Sequence, residues 1–235
     1  MKPGRVGLLG GTFDPIHIGH VEVARRVREV LALDYMCLVP SCAPPHRTAL
    51  PTSSAWHRFA MASIATGGLP GVVVDDIELA RGGMSYTIDT LTTLAQRGFS
   101  ASQLFVLTGA DAFAEIATWR AYPVLLDAAC FVVVARPGFD LEGLRDRLPH
   151  LSSRFESIDA RAGDAFTERV RGQGGSPLPV GLLPIETPDV SATDLRRRLG
   201  AGEAVGALLP RGVEDHIRRH GLYTATTRPG GATLA

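Results

Sequence analysis

Short β-rich runs alternating with longer segments of helical period constrain this chain more than any single motif. Arg5 to Leu9, Tyr35 to Val39, Val72 to Asp75, Leu104 to Leu107 and Phe131 to Ala135 read as buried strands. Val21 to Leu31, Trp56 to Ala65, Thr87 to Gln96, Phe113 to Leu126 and Leu141 to Leu148 follow them in turn, with apolar residues at helical spacing. Strand, helix and strand repeated in that order imply right-handed crossovers and helices on both faces of a parallel sheet. The expected fold is therefore α/β, a doubly wound parallel sheet. In such sheets ligands lie beyond the carboxyl ends of the strands, near the point where strand order reverses. The loops after the first and fourth strands are accordingly where chemistry is sought.

Length and composition narrow the setting. The 235 residues bury enough apolar surface for a core without metal or disulfide staples, and a single domain is expected over residues 1–224. Val180 to Glu186 reads as a last strand, with short helices from Ser191 to Leu199 and from Val213 to His220. Between Ser152 and Pro179 the pattern weakens; Gly172, Gly174, Gly175, Pro177 and Pro179 cluster there, and a surface loop or insertion is expected. The tail over residues 225–235 has no apolar period and is expected to be disordered. The 24 basic and 24 acidic residues cancel, so no overall field draws the chain to nucleic acid or membrane, and any polyanion site is local. Cys37, Cys42 and Cys130 form no CxxC pair and read as reduced core fillers of a cytoplasmic protein. No stretch approaches the ~18 apolar residues of a membrane span.

The densest concentration of chemistry is Gly10-Gly11-Thr12-Phe13-Asp14-Pro15-Ile16-His17-Ile18-Gly19-His20, between the first strand and the first helix. Glycines at a strand end let backbone N–H groups approach a phosphate with no Cβ in the way. His17 and His20, three apart where a helix opens, share a face near the positive end of its dipole, and Gly19 leaves room beside them. A single such histidine is more often a packing or capping residue; the whole constellation is not. The segment resembles the G-G-T-F-D-P-x-H-x-G-H signature of the HxGH nucleotidyltransferase superfamily, whose motif class I aminoacyl-tRNA synthetases also carry.

Downstream elements narrow the resemblance to the nicotinate mononucleotide adenylyltransferases and to a Rossmann-like nucleotidyltransferase fold. Pro44-Pro45-His46-Arg47 resembles their P-P-H-K loop, with Arg47 in place of the lysine; the charge stays, but a planar fork places it differently from an ammonium. Ser85-Tyr86-Thr87-Ile88-Asp89-Thr90-Leu91 matches the S-Y-T-I-D-T-L element. There Ser85 is a candidate N-cap, and the amides of Tyr86 and Thr87 a candidate anion site suited to a nicotinate carboxylate. Gly109-Ala110-Asp111, with Trp119 beyond it, resembles the family's G-A-D and downstream tryptophan. Pro188 to Arg196 resembles the I-S-S-T-x-I-R element, with Ala192 replacing the second serine. Arg136-Pro137-Gly138 and the segment from His216 to Tyr223 extend the match almost end to end.

The resemblance implies transfer of AMP from ATP to nicotinate mononucleotide, giving deamido-NAD and pyrophosphate. It implies catalytic roles for His17, His20, Arg47 and Arg196. ATP is expected on Gly10, Gly11, Thr12, Phe13, Gly19, Gly109, Asp111, Ser191, Thr193 and Arg196 together with both histidines. The mononucleotide is expected on His46, Ser85, Tyr86, Thr87, Trp119, Arg120 and Arg136, with the indole of Trp119 on the pyridine ring. Mg²⁺ is expected through the ATP phosphates, because the sequence shows no carboxylate cluster and no metal-ligating residues of its own are predicted. Three other readings stay open on the residues alone: an adenylyltransferase for nicotinamide mononucleotide or phosphopantetheine, a synthetase-like RNA enzyme, and a catalytically silent nucleotide-binding regulator. The missing K-M-S-K-S-like loop and the zero net charge count against the RNA enzyme.

Overall fold

A computed structural model describes residues 4–45, 51–135, 141–172, 177–185 and 187–224. The first half alternates as expected: β1 (Val6–Gly11), α1 (Ile18–Val30), β2 (Tyr35–Pro40), α2 (Ala55–Thr66), β3 (Val72–Val74), α3 (Ile77–Arg81), α4 (Thr87–Gln96) and β4 (Leu104–Gly109). It continues through α5 (Ala110–Ala114), β5 (Cys130–Ala135), α6 (Leu141–Arg147), β6 (Phe155–Ser157), α7 (Gly163–Gly172), β7 (Val180–Pro184), α8 (Ala192–Gly200) and α9 (Arg211–Arg219). The strands form one seven-stranded sheet in the order β3-β2-β1-β4-β5-β7-β6, and every ladder is parallel.

Side-chain alternation along the strands supplies two cores, one on each face of the sheet. Met36, Leu38, Phe105, Leu107 and Val132 pack with Ala24 and Val27 of α1, Met61 of α2, Val170 of α7, Leu195 of α8 and Ile217 of α9. Leu8, Cys37, Val106 and Val133 pack on the other face with Leu91 and Leu94 of α4, Phe113 of α5 and Leu144 of α6. Cys37 and Cys130 are buried and Cys42 is half-buried. Burial pushes the Cys37 thiol up to about 12 and the Cys130 thiol higher still, so both are inert apolar fillers, as their sequence context predicts. Among the described residues no helix is long and apolar enough to cross a membrane.

Strand order reverses between β1 and β4, and there the sheet opens to solvent. β4 is buried from Leu104 to Thr108 and exposed at Gly109, and Gly10 of β1 is likewise exposed. A Cβ built on either glycine meets nothing within 4 Å, so these carboxyl ends face open space.

Two expectations fail. The stretch expected as a loop or insertion between Ser152 and Pro179 contains the edge strand β6, paired with β7, and the helix α7. Phe155, Ile158, Phe166 and Val170 are all buried, but they are spread over too short a strand and too polar a helix to show periodicity. Gly163 starts α7 hard against α1: a Cβ there would lie 2.6 Å from the Val30 carbonyl oxygen. Thr167 then donates its hydroxyl to Leu31 O at 2.8 Å. The helix expected from Phe113 to Leu126 is broken into α5 and two 3₁₀ turns, Ile116–Thr118 and Val124–Asp127. Pro123 has no amide donor and disfavours helical backbone before it, and Ala121 stands at φ 65°. The break releases Trp119 from a helix surface into extended backbone (φ −74°, ψ 144°). The expected tail over 225–235 lies outside the described residues.

Candidate active site

The loop between β1 and α1 is held from below by buried polar groups. Asp14, 3% exposed, accepts from the Thr52 amide at 2.7 Å, the Ser53 amide at 3.2 Å, the Ser53 hydroxyl at 2.6 Å and the Tyr223 hydroxyl at 2.7 Å. Burial and the neighbouring Asp14 carboxylate hold the Tyr223 phenol far above its ordinary pKa, so it remains a donor. Arg58 of α2, 1% exposed, donates to the carbonyls of Thr12 at 2.7 Å, Cys42 at 3.1 Å and Ser53 at 3.3 Å. One buried guanidinium thereby ties together the loops after β1 and β2 and the entry to α2. Its charge is offset by carbonyl dipoles, which act as charge-assisted acceptors.

On this base the two histidines of the motif are brought together. His17 is the N-cap residue of α1 and His20 lies in its first turn. Their rings stack with centroids 3.8 Å apart, and the edge of Phe13 meets His20 at 5.1 Å. His20 Nδ1 accepts the His17 amide at 3.3 Å, which assigns the proton to Nε2 and makes that nitrogen a donor. Gly19 permits this packing, since a Cβ would stand 3.1 Å from the Pro188 carbonyl oxygen. Phe13 itself is buried at 2% exposure and supports His20 from the core instead of lining a cavity.

A cavity of about 160 Å³ on the α1 side is lined by His17, Gly19, His20, Thr108, Gly109 and Pro188, among others. Beside Pro188, α8 begins: Ser191 caps it by accepting the Asp194 amide at 3.4 Å. Arg196 reaches back to donate to Asp14 O at 2.7 Å and to Thr193 Oγ1 at 3.1 Å. The amino termini of α1 and α8 thus converge on one side of the sheet opening, with a guanidinium between them, an arrangement suited to phosphate groups.

Across the same strand ends lies a larger cavity of about 380 Å³, lined by Gly10, Gly11, Thr12, Ser85, Thr87 and Trp119 with Pro44 and Pro45. Leu9, Leu107, Thr108 and Gly109 line both cavities. A small extension of about 80 Å³ adds Tyr86 and Arg120. Arg120 stacks 4.7 Å from the Tyr86 ring centroid and donates to Asp89 at 3.2 Å.

One sequence assignment changes, and two predicted residues lie outside both cavities. Ser85 does not cap α4: Tyr86 is the N-cap residue and makes no side-chain cap. Ser85 instead accepts the Cys42 amide on its hydroxyl at 2.8 Å and donates its own amide to Ala43 at 2.9 Å, closing the wall of the larger cavity. The isolated bridge between Ala43 and Met84 continues that seam, and the competing backbone partners leave Ser85 one residue short of the cap. Phe13 packs in the core because the loop turns it inward, away from both cavities. Asp111 sits in the exposed first turn of α5 and lines neither cavity. His46, Arg47 and Arg136 lie outside the described residues. Sequence reasoning missed Arg58 and the anchoring roles of Asp14 and Tyr223. The available signal was an arginine one helical turn before Met61 and Ala62, on the apolar face of α2.

Residues 8–198 match the cytidylyltransferase-like family. A probable nicotinate-nucleotide adenylyltransferase from Pseudomonas syringae pv. tomato is 40% identical over 228 residues, covering 97% of each chain. One from Thermus thermophilus is 38% identical over 219 residues, covering 93% of this chain and 99% of the relative. Among solved structures, the nicotinic acid mononucleotide adenylyltransferase of Plasmodium falciparum complexed with NaAD superposes with a TM-score of 0.66. At 17% identity, over 93% of this chain and 96% of the other, it speaks for the fold. With two convergent helix termini, the His17–His20 pair and this coverage, the chain belongs to the nicotinate-nucleotide adenylyltransferase family of cytidylyltransferase-like proteins.

Proposed function

We propose that this protein transfers AMP from ATP to nicotinate mononucleotide, forming deamido-NAD and pyrophosphate. The observation that carries the reading is the pair of cavities meeting over the ends of β1 and β4, one flanked by His17 and His20, the other by Trp119. ATP occupies the α1 side, its phosphates toward the termini of α1 and α8. The mononucleotide occupies the larger cavity, its ring against Trp119 and its carboxylate toward the first amides of α4, with its phosphate over Gly10 and Gly11.

The nucleophile is a phosphate oxygen that is already anionic, so no general base is required. It attacks the α phosphorus in line; a new P–O bond forms as the bond to the β-phosphate bridge breaks, and pyrophosphate leaves with the electron pair. The protein contributes position and donors where negative charge accumulates. The Nε2 proton of His20 serves the α or β oxygens, His17 assists, and Arg196 with Arg47 and His46 of the sequence motif neutralise the remainder. The family is one of metal-dependent nucleotidyltransferases, and the residues present fit an ion carried by the nucleotide. The Asp14 carboxylate is fully engaged by backbone and hydroxyl donors. Among the described residues no carboxylate group of three converges on either cavity. Mg²⁺ held by the triphosphate and water would neutralise charge on the leaving pyrophosphate.

Pyrophosphate release is measured with ATP, Mg²⁺ and, in separate reactions, nicotinate mononucleotide, nicotinamide mononucleotide or phosphopantetheine. Preference for the acid by roughly tenfold or more is expected from one added anion contact of about 1–2 kcal/mol. Equal rates with the amide would move the reading to the nicotinamide substrate, and activity with none would overturn catalysis.

A further inference from the structure

Away from both cavities, three histidines from two helices converge where α9 packs on α2. His216 and His220 are four apart on α9 and at its C-cap, so their rings share one face of the helix. His57 projects to meet them from the first turn of α2. His57 Nδ1 stands 3.1 Å from His216 Nε2. The His220 ring centroid lies 4.9 Å from that of His57 and 4.4 Å from that of His216. One nitrogen from each ring falls within 4.8 Å of the other two. None of the three residues lines either cavity at the sheet opening.

A hydrogen bond between two neutral imidazoles would account for the first pair alone. It gives no reason for a third imidazole to sit against both, and no carboxylate joins the cluster among the described residues. Three like groups otherwise conflict; burial first, then the neighbouring imidazoles, lowers the pKa of His57 and of His216. Neutral imidazole is the form that ligates. Two nitrogens on a tetrahedral ion with bonds of ~2.0 Å are separated by ~3.3 Å, close to the 3.1 Å found. His57 and His216 are half-buried and His220 exposed, so solvent can supply a remaining ligand.

We propose that His57, His216 and His220 form a binding site for one divalent transition-metal ion of the zinc class, which clamps α9 to α2. Three imidazoles without an oxygen ligand select zinc, nickel, cobalt or copper over magnesium and calcium. The site is therefore chemically separate from any ion that travels with ATP. His57 adjoins Arg58, and α9 leads into Tyr223, so the clamp joins the two elements whose side chains anchor the loop between β1 and α1. The role is structural.

The test uses untagged, metal-stripped full chain titrated with ZnCl₂ against a chromophoric chelator, in excess Mg²⁺. One ion per chain is expected, with affinity weakened at least ~100-fold in His57→Gln and His220→Gln, since each removes one of three ligands. Zinc at about a hundredfold excess over its dissociation constant raises the thermal midpoint by roughly 5–10 °C, and this rise is lost in both variants. His220 is exposed, so His220→Gln keeps the test readable if His57→Gln weakens folding. Fewer than one ion per chain at micromolar zinc, or equal binding and equal thermal shift in wild type and His220→Gln, would overturn the proposal.

Discussion

The two cavities flank the same strand ends but are built differently. The α1-side cavity takes its polar residues from His17 and His20 of one contiguous motif, from Thr108 at the end of β4 and from Thr187 in the segment before α8. That motif is fixed by Asp14, Arg58 and Arg196 through backbone-directed bonds. The larger cavity joins Gly10, Gly11 and Thr12 of the same motif to separate loops around Pro44, Ser85 and Trp119. A few contacts join them: Ser85 to Cys42 and Ala43, and Arg120 over Tyr86. The half proposed to handle phosphates is thus held by many fixed bonds, as electrostatic catalysis demands. The half proposed to take the acceptor depends on loop positions. Damage to the first should fall on turnover, and damage to the second on KM and acceptor choice.

The sharpest test of that division is His20→Ala. Loss of a preaimed donor is expected to lower kcat by ~10²–10³ in pyrophosphate release, with KM for the mononucleotide little changed. Near-full activity would remove His20 from its assigned role. Next comes the anchor: Arg58→Met leaves buried carbonyls without donors and is expected to cost about 3 kcal/mol in urea unfolding. An unchanged midpoint would show that the loop between β1 and α1 holds itself. On the acceptor side, Trp119→Ala should raise KM for nicotinate mononucleotide roughly tenfold, from a stacking loss of about 1.5 kcal/mol, with kcat within about twofold. A large fall in kcat instead would break the contrast between the cavities.

Two smaller effects refine it. The folded-state pKa of Tyr223 is raised, so its contribution is fully present below the unfolded value near 10 and is lost as pH climbs past it, by up to about 1.4 kcal/mol per pH unit. Tyr223→Phe is expected to flatten this alkaline decline in unfolding titrations; an equally steep decline would deny the phenol its anchoring part. Ser85→Ala is expected to cost about 1 kcal/mol, read as a several-fold rise in KM for the mononucleotide. No change would mean that the seam to Cys42 does not set the cavity wall.

The repeating strand–helix pattern carried the sheet from β1 to β5 because those strands are buried on both faces and read as unbroken apolar runs. The pattern failed where local rules and packing disagreed. Phe155 opens a strand only three residues long and Ile158 lies just beyond its end, too short a run for alternation to register, and α7 has a mainly polar surface. The expected helix beyond Phe113 was interrupted by Pro123, whose effect on the preceding backbone outweighed the apolar spacing. In the site, the contiguous motif expected whole on ATP is divided by the structure: His17, Gly19 and His20 line one cavity, and Gly10, Gly11 and Thr12 the other. Ser85 was placed in the correct wall with the wrong bond, since a cap and a bridge to Cys42 use the same hydroxyl.

The sequence by itself determined the class of fold, the sheet opening after β1 and β4, and the motif residues that line it. These depend on spacings of a few residues, where covalent geometry and helix or strand period leave little freedom. Tertiary structure alone decided what meets across long separations. It set Asp14 against Tyr223, Arg58 beneath three carbonyls, the split into two cavities, and the meeting of His57 with His216 and His220. Such contacts arise from how helices settle on the sheet, and no local propensity encodes them.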